Sequence, residues 1–453
     1  MERVRSSRIV RWIAALAIVC NLPTFFLVRQ EFKLHSSDQN TRTSTYIAVV
    51  SAFGTYFCMY AFRKPFTAAT FADQEIWGLA LKTVLVLSQL CGYMVSKFIG
   101  VKVVSEMPAS RRAVTMVGLM AFAELALVGF AFLPLPGKVL MLFLNGLPLG
   151  MVFGLVLAYL EGRRHTEALS AGLCASFIVS SGVVKSVGRW LMVEQNVSEF
   201  DMPWITGLMF FVPMLFCVWL LQKTPLPSSE DRRMRSERTV MRRSERQGFF
   251  RAYRPGLLLL LLVYVGLTII RTLRDDFGVE IWQALGVSGT PAVFAQSETV
   301  VAIVATLVNA LAICIVGNLA ALTATTVLMC AGFGFVAVAT LAQWSGHLAP
   351  FPFMVACGIG LYIPYVAFHT TIFERIIAAS PRQGNLGFLM YLADSIGYLG
   401  YAVLMTWKAI APPGAGIFPF FRVGILVTSV ACVVLLVFAL RYFRRVLSEV
   451  VVS

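Results

Sequence analysis

The chain contains the apolar stretch LLLLLLVYVGLTII at residues 257–270, which runs directly into Arg271-Thr272-Leu273-Arg274-Asp275-Asp276. With its flanks it approaches the roughly 20 residues that a helix needs to cross a bilayer. A second apolar stretch likewise contains Arg63 and Lys64. A charge near the bilayer centre costs roughly 2.5–3.5 kcal/mol on insertion scales. These cations therefore indicate either side chains that reach the headgroups from a helix end or a binding site for an anion.

The composition of the whole chain is that of a multi-pass membrane protein. Hydrophobic residues make up 58% of its 453 residues and charged residues 13%, whereas soluble domains average about 25% charged residues. The formal net charge of +15 agrees with cytoplasmic loops rich in Lys and Arg, so we expect no nucleic-acid partner. The nine cysteines lie in apolar runs without ligand spacing, which predicts no disulfide, no metal site and no cofactor.

Twelve apolar segments are candidates for transmembrane helices, six before and six after a basic linker. They predict an all-α membrane protein with roughly 20 residues to each span. The segments are 46–68, 76–98, 113–133, 138–160, 168–191, 203–222, 256–276, 291–316, 319–342, 350–373, 385–409 and 419–440.

Basic residues concentrate in the linker, in alternate loops and after the last segment, which predicts an inner-membrane protein with both termini in the cytoplasm. An apolar stretch near the N-terminus does not fit this count; it is an interfacial helix, a signal-like segment or the mark of a start placed too far upstream. The expected parts are an N-terminal extension (1–45), a six-helix bundle (46–222), a basic cytoplasmic linker (223–255), a second six-helix bundle (256–440) and a cytoplasmic tail (441–453).

The two sets of segments echo each other, since Arg63 and Arg271 both fall late in the first segment of their set. Two parallel six-helix repeats with a site at their interface are typical of transporters.

The Gly-rich stretches Gly146–Gly150 and Gly358–Gly360 lie inside apolar segments, and neither is followed by Lys-Ser or Lys-Thr. They therefore predict close helix packing and not a phosphate-binding loop.

Three short motifs resemble the major facilitator superfamily and, within it, the organophosphate:phosphate antiporter group. The first-helix pattern Tyr-x-x-Arg-Lys-x-Phe stands here as Tyr60–Phe66, and the second-helix ending Ser-Lys-Phe stands as Ser96–Phe98. The seventh-helix pattern of an Arg followed five residues later by Asp and an aromatic stands as Arg271–Phe277. The chain departs from the superfamily's Gly-x-x-x-Asp-Arg loop at Gly100–Glu106, and Lys185 occupies the segment where the antiporters have a histidine. The chain also resembles a bacterial branch of the superfamily that has no assigned substrate.

The resemblance implies the major facilitator fold, with twelve transmembrane helices in two pseudo-symmetric bundles. It implies a secondary transporter of a small anionic solute, a phosphate ester or phosphate, that works by alternating access as an antiporter or a proton symporter. It also implies that Arg63 and Arg271 bind the anion and that Lys64 and Lys97 support them. The alternatives are a non-transporting sensor of a phosphorylated metabolite and a transporter of a non-anionic solute.

The residues around Arg63 add two expectations. Tyr56, Tyr60 and Arg63 share one helix face by their spacing, so the tyrosines either hydrogen-bond a substrate or pack. Pro65 disfavours helical geometry at Lys64 and predicts a bend there.

Other charges inside apolar segments are candidates for proton coupling or for charge pairing. Among them, Arg274 and Asp275 are expected to form a structural ion pair. No paired acids or histidine cluster suggests an enzyme, and we expect a monomer whose partners are the lipid bilayer and a small-molecule substrate. The candidates are Glu124, Lys185, Arg274, Asp275, Glu298 and Asp394.

Overall fold

The computed structural model describes residues 39–452 except 106, 161–165, 225–242, 289, 314, 316, 382–383, 385 and 411–415. Most of the predicted extension 1–45 and of the predicted linker 223–255 therefore lies outside the described residues. The described chain is predominantly helical and divides into two compact units. The first unit runs to Arg235 and includes Gly289–Thr306, and the second comprises Ser236–Ser288 and Leu307–Ser453.

The first unit is built on long helices that pack side by side. Helix α4 packs against α1, α2 and α3, and α1 also packs against α5 and α6. The helices are α1 (Gln39–Arg63), α2 (Leu81–Ser105), α3 (Ala109–Phe132), α4 (Leu135–Leu160), α5 (Thr166–Glu194) and α6 (Met202–Gln222).

A compact connection joins α1 to α2. A short 3-10 helix, Pro65–Ala68, leads into a hairpin of β1 (Glu75–Ile76) and β2 (Leu79–Ala80). The two turn residues have positive φ angles of 55° and 73°, as a tight hairpin turn requires. The predicted span 76–98 was therefore wrong at its start, because a turn and a strand pair precede the helix that begins at Leu81.

The second unit has a similar series of packed helices. Helix α8 packs against α14 and α15, and α11 packs against α12 and α15. The segment Phe368–Ile372 between α12 and α13 is π-helical. The helices are α7 (Arg243–Ala252), α8 (Arg254–Asp276), α9 (Gly278–Ala284), α10 (Ala292–Ile313), α11 (Asn318–Trp344), α12 (Pro350–Ala367), α13 (Phe373–Ala379), α14 (Leu386–Ile410) and α15 (Ile417–Val452), of which α10 begins in the first unit.

Nine helices of the described chain are long and apolar enough to cross a membrane. They correspond to nine of the twelve predicted segments. The apolar part of α1, Ile47–Arg63, is shorter than a candidate span, and α2 and α5, which carry buried lysines, are not among the nine. Helix α15 continues to Val452, so the predicted tail 441–453 is helical as far as that residue, and its cytoplasmic position stays a prediction.

Glycines bring α2 and α4 into close contact, as the Gly146–Gly150 stretch predicted. A Cβ atom at Gly92 would overlap the carbonyl of Phe143, and one at Gly146 would lie 2.8 Å from the backbone nitrogen of Tyr93. Each helix thus offers a small residue where the other helix's backbone approaches, which is how membrane helices pack closely. In the second unit a Cβ at Gly360 would lie 2.7 Å from the carbonyl oxygen of Gly332.

Candidate functional site

In the first unit, the predicted anion ligand Arg63 is the last residue of α1 and is only 8% exposed. Its guanidinium carbon lies 4.1 Å from the centre of the Tyr93 ring on α2 and 5.8 Å from the Tyr60 ring on its own helix. The Lys97 ammonium lies 5.3 Å from the centre of the same Tyr93 ring. The structure therefore brings together three predicted site residues, Tyr60, Arg63 and Lys97, around a tyrosine that the motifs did not include.

The other predicted tyrosine, Tyr56, lies one turn earlier on α1 and is buried. Its ring makes edge contacts with Tyr60 at 5.6 Å and with Phe153 of α4 at 5.3 Å. The predicted shared face of Tyr56, Tyr60 and Arg63 is thus present in the structure.

A polar network holds the end of α1 in place. The Gln89 side chain of α2 donates to the Arg63 carbonyl at 2.9 Å and to Asn145 Oδ1 at 2.8 Å. Asn145 of α4 donates to the carbonyls of Phe62 and Ala123, both at 3.0 Å. Asn145 is completely buried, so these bonds satisfy its amide and tie α4 to both α1 and α3.

Lys64 is buried at the junction between α1 and the 3-10 helix. The predicted bend at Lys64 is confirmed, since the chain bends at this residue, although its angles stay near the helical region (φ −105°, ψ −11°) and its backbone N–H donates to the Tyr60 carbonyl at 2.9 Å. The α-helix ends at Arg63 and the chain tightens into the 3-10 turn. Lys82, also buried, donates to the Thr67 carbonyl at 3.1 Å and supports this turn.

In the second unit, Arg271 of α8 has a setting like that of Arg63. It is 7% exposed, and its guanidinium carbon lies 4.1 Å from the centre of the Tyr365 ring and 5.8 Å from that of Tyr362, both on α12. One terminal nitrogen donates to Thr272 Oγ1 at 3.4 Å. Its Nε is buried and has no hydrogen-bond partner among the residues that the structure describes. Each unit therefore has a buried arginine stacked on one tyrosine and flanked by a second.

A second polar cluster lies beside Arg271. The fully buried Tyr264, two turns earlier on α8, donates its hydroxyl to Asp394 of α14. The centre of the His369 ring lies 4.4 Å from that of Tyr365 with the two rings tilted by 43°, and its Nδ1 lies 2.9 Å from the Tyr365 carbonyl. His369 belongs to the π-helical segment, and such segments occur frequently at functional sites.

The remaining predicted charges are spread over several helices. Arg274 donates to the Met354 carbonyl at 2.9 Å, and the predicted Arg274–Asp275 ion pair stays a prediction. Lys185 of α5 is buried. The Glu298 side chain of α10 lies against Gly182 of α5, where a Cβ atom would be 2.7 Å from the Glu298 Cβ.

Glu124 of α3 packs against Gly207 of α6. It is 9% exposed, and neither of its carboxylate oxygens has a hydrogen-bond partner within the described part of the chain. A carboxyl group in such a place is stable only when it is protonated or when a cation reaches it.

The sequence analysis missed the aromatic and amide partners of the two arginines. Gln89 and Asn145 had a usable signal, because a buried amide inside an apolar helix needs hydrogen-bond partners. Tyr93 and Tyr365 had none, because each contacts an arginine on another helix, far away in the sequence. Among the described residues, no group of three or more His, Cys, Asp or Glu side chains could hold a metal ion.

The geometry around each arginine indicates what chemistry it can support. The ring covers one face of the guanidinium, and its N–H donors point outward in the guanidinium plane. There they fit the paired oxygens of a phosphate or carboxylate. Burial strengthens such charge-assisted bonds, because water competes less for the donors.

Comparison with solved structures supports the fold. Among 234 matching chains are a D-xylose–proton symporter (TM-score 0.58, 13% identity, covering 87% of this chain and 96% of that one) and a bacterial homologue of the human lysosomal transporter Spinster in an inward-facing, unoccupied conformation (0.56, 13%, 90% and 97%). A third is a point mutant of the peptide transporter POT in complex with alafosfalin (0.59, 13%, 88% and 94%).

These structural neighbours are transporters of the major facilitator type, so the general fold that the sequence resemblance implied is confirmed. The count of twelve helices in two bundles and the organophosphate:phosphate antiporter group stay predictions. No curated protein matches the chain significantly. One family model, described as a family of unknown function (DUF5690), matches residues 65–446. Since this match spans most of the chain, the protein belongs to the DUF5690 family.

Proposed function

We propose that the protein is a secondary transporter that moves a small anionic solute, a phosphate ester or phosphate, across the inner membrane by alternating access. Its twelve helices form two six-helix bundles, 46–222 and 256–440, with both termini in the cytoplasm and no enzymatic activity. Uptake is coupled to counter-transport or to protons, and the working unit is a monomer.

The observation that carries this proposal is the repeated setting of the two arginines. Arg63 and Arg271 are each more than nine-tenths buried and each lie 4.1 Å above a tyrosine ring. Snorkelling does not account for them, because a snorkelling guanidinium ends in water or among headgroups and is exposed. Burying a guanidinium in a membrane protein is costly, and such residues commonly mark a substrate pathway.

The proposed roles follow from the contacts. Arg63 and Arg271 bind the anion, Lys64 and Lys97 add positive charge near Arg63, and Tyr56 and Tyr60 lie beside Arg63. Tyr93, Tyr362 and Tyr365 join them as residues that orient the guanidinium groups. Glu124, Glu298 and Asp394 are the carboxylates that could carry a proton, and Lys185, Arg274 and Asp275 balance charge.

The first experiment measures binding and flux with one preparation. Purified protein is screened by thermal shift against phosphate esters, dicarboxylates and neutral sugars, since a ligand that binds the folded state raises its melting temperature. The ligands that bind are then tested for uptake into proteoliposomes. Binding with robust flux supports a transporter, and binding without flux would favour the sensor. Stabilisation by neutral sugars alone would contradict an anionic substrate.

The second experiment tests the guanidinium directly. Arg271→Lys keeps the charge but loses the paired planar donors, so we expect it to weaken anion binding at least about tenfold, nearly as much as Arg271→Ala. Calorimetric titration with the best phosphate ester measures the affinity.

Arg422→Lys is the matched control. Arg422 also stacks on an aromatic ring, 4.5 Å from the centre of Trp344, but it lies on α15 beside Gln343. We expect this variant to bind the anion like the wild type. An Arg271→Lys protein with wild-type affinity would refute bidentate binding.

A further inference from the structure

The second unit carries a basic surface that the transport proposal does not use. Helices α7 and α8 meet at Tyr253, and the exposed arginines Arg251 and Arg254 flank this junction. On α15, Arg441, Arg444 and Arg445 are exposed as well. We refer to these five arginines as the basic platform.

Direct contacts join the two segments that carry these arginines. The Tyr442 hydroxyl of α15 donates to the Ala252 carbonyl at 3.3 Å, and the rings of Tyr253 and Phe443 lie 6.4 Å apart. The residues that make these contacts are the immediate chain neighbours of Arg251 and Arg254 on one side and of Arg441 and Arg444 on the other. The five arginines are therefore the exposed charges that flank one contact between two parts of the same unit.

The platform lies where the lipid-facing surface of the unit ends. Leu258, one turn after Arg254 on α8, is 41% exposed, and Phe438, one turn before Arg441 on α15, is 53% exposed. Residues three or four apart lie on one helix face, about 4.5–6 Å apart along the axis. On both helices an exposed apolar side chain thus lies within one turn of an exposed guanidinium group. This arrangement is typical of the boundary between the acyl chains and the headgroups.

The interior of the junction is apolar, which keeps the arginines at the surface. Phe249, Tyr253 and Phe443 are at most 3% exposed. Helix α7 is thereby anchored by its aromatic face while its charged face stays outside. Its acidic residue, Glu245, lies at the far end of α7 from the junction.

We propose that the basic platform binds the headgroup of an anionic phospholipid of the surrounding bilayer. Guanidinium groups pair with phosphodiester oxygens through two parallel hydrogen bonds, and basic sites between helices at a membrane surface bind anionic headgroups. The adjacent Leu258 and Phe438 provide the apolar surface along which the acyl chains lie. A soluble phosphate compound would gain nothing from that surface, so the lipid is the occupant.

The test compares lipids of one acyl composition and different charge. Wild-type protein in a non-ionic detergent is titrated with phosphatidylglycerol or with phosphatidylcholine, and the melting temperature is followed. We expect phosphatidylglycerol to raise it and phosphatidylcholine to leave it unchanged. Glycerophosphoglycerol, the headgroup without acyl chains, should give no shift at the same concentration.

Matched double variants locate the effect. Arg254→Gln with Arg444→Gln removes two charges from the platform, and each contributes about fivefold to binding, so the phosphatidylglycerol midpoint should rise about 25-fold. Arg111→Gln with Lys223→Gln removes two exposed charges from the first unit and should leave the midpoint unchanged. Replacing Arg254 and Arg444 by Lys keeps the charge but loses the paired donors, so it should restore only part of the binding. A melting temperature without lipid equal to that of the wild type shows that each variant remains folded.

Three results would overturn the proposal: equal shifts with both lipids, an unchanged midpoint in the platform variant, or a full shift with glycerophosphoglycerol. None of these readouts depends on transport, so the lipid site stands or falls separately from the proposed function.

Discussion

The stacking of each buried arginine on a tyrosine orients its hydrogen-bond donors. A guanidinium over an aromatic face gains about 2 kcal/mol when both are desolvated, and the ring blocks one face of the cation. The Arg63–Tyr93 and Arg271–Tyr365 pairs both show this arrangement at 4.1 Å. In the proposed transporter, the tyrosines act on the anion through the arginines, by holding the guanidinium donors in one plane before the solute arrives.

Substitutions at Tyr365 separate this orienting role from direct hydrogen bonding. Tyr365→Phe keeps the ring and should bind the anion within about threefold of the wild type. Tyr365→Leu removes the stack and leaves Arg271 free to change rotamer, so we expect affinity to fall about tenfold or more. Calorimetric titration of the two variants measures the difference. Equal losses in both would show that the hydroxyl, not the ring, matters.

Asn145 tests the polar network that holds the end of α1. Hydrogen bonds between membrane helices contribute about 0.6 kcal/mol on average and up to about 1.7. Asn145→Leu removes three such bonds, to Gln89, Phe62 and Ala123, and should lower the free energy of unfolding by about 2 kcal/mol. Unfolding of the purified protein in mixed micelles measures this value.

Thr340→Val serves as the control for Asn145. The Thr340 hydroxyl bonds only the carbonyl of Val336 on the preceding turn of the same helix, as far as the described contacts go, so its loss should cost less than about 0.5 kcal/mol. A smaller cost for Asn145→Leu than for Thr340→Val would contradict the bracing role of the network.

At the scale of helices, the closest packing in the first unit depends on glycines. Gly92 and Gly146 let the backbones of α2 and α4 approach so closely that neither position has room for a methyl group. The approach places Gln89 and Tyr93 of α2 against α4 and beside the end of α1. Helix spacing therefore determines whether Tyr93 can cover Arg63.

A methyl group at Gly146 should force the two helices apart. Gly146→Ala would place Cβ 2.8 Å from the Tyr93 backbone nitrogen, and overpacking of this kind costs about 1–3 kcal/mol of stability. Anion affinity should fall with it, because the Tyr93 ring moves with the helix. The melting temperature and the affinity of the variant measure the two effects.

Gly118→Ala is the control for Gly146→Ala. Gly118 is exposed on α3 and has no atom within 4 Å of its would-be Cβ, so alanine should be neutral or should stabilise the helix by up to about 1 kcal/mol. If both alanine variants have the same melting temperature and anion affinity, the close packing of α2 and α4 does not determine the geometry of the proposed site.

The same helices show how far the sequence could predict this structure. Long apolar segments predicted where most helices lie, since hydropathy depends only on neighbouring residues. The hairpin at Glu75–Ala80 and the helical end of α15 were missed. Turn geometry determines the first and helix propensity the second, and neither property changes the hydropathy of the segment. The arginines were found from their charge, whereas Tyr93 and Tyr365 depend on contacts between distant parts of the chain, which no local pattern reports.

At the scale of the whole molecule, the two units repeat one local design. In each, an arginine late in a long helix stacks on a tyrosine of another helix and has a second tyrosine at 5.8 Å. The details differ, since the second tyrosine precedes Arg63 on its own helix and belongs to α12 for Arg271. Such similarity is expected of an internal repeat in which each half has adapted its own residues.

The orientation of the chain in the membrane gives the last prediction. The charge distribution assigns the start of α3 to the cytoplasm and the connection between α1 and α2 to the outside. Ala72 in that connection and Ser110 at the start of α3 are both exposed, so each can be replaced by cysteine. In intact cells a membrane-impermeant maleimide should label the Ala72→Cys protein above the wild-type background, whereas Ser110→Cys should react only after the cells are opened. The wild type supplies the background from its own cysteines, including the exposed Cys91. Labelling of Ser110→Cys alone in intact cells would invert the topology, and the basic segments would then face the outside against the usual asymmetry of Lys and Arg.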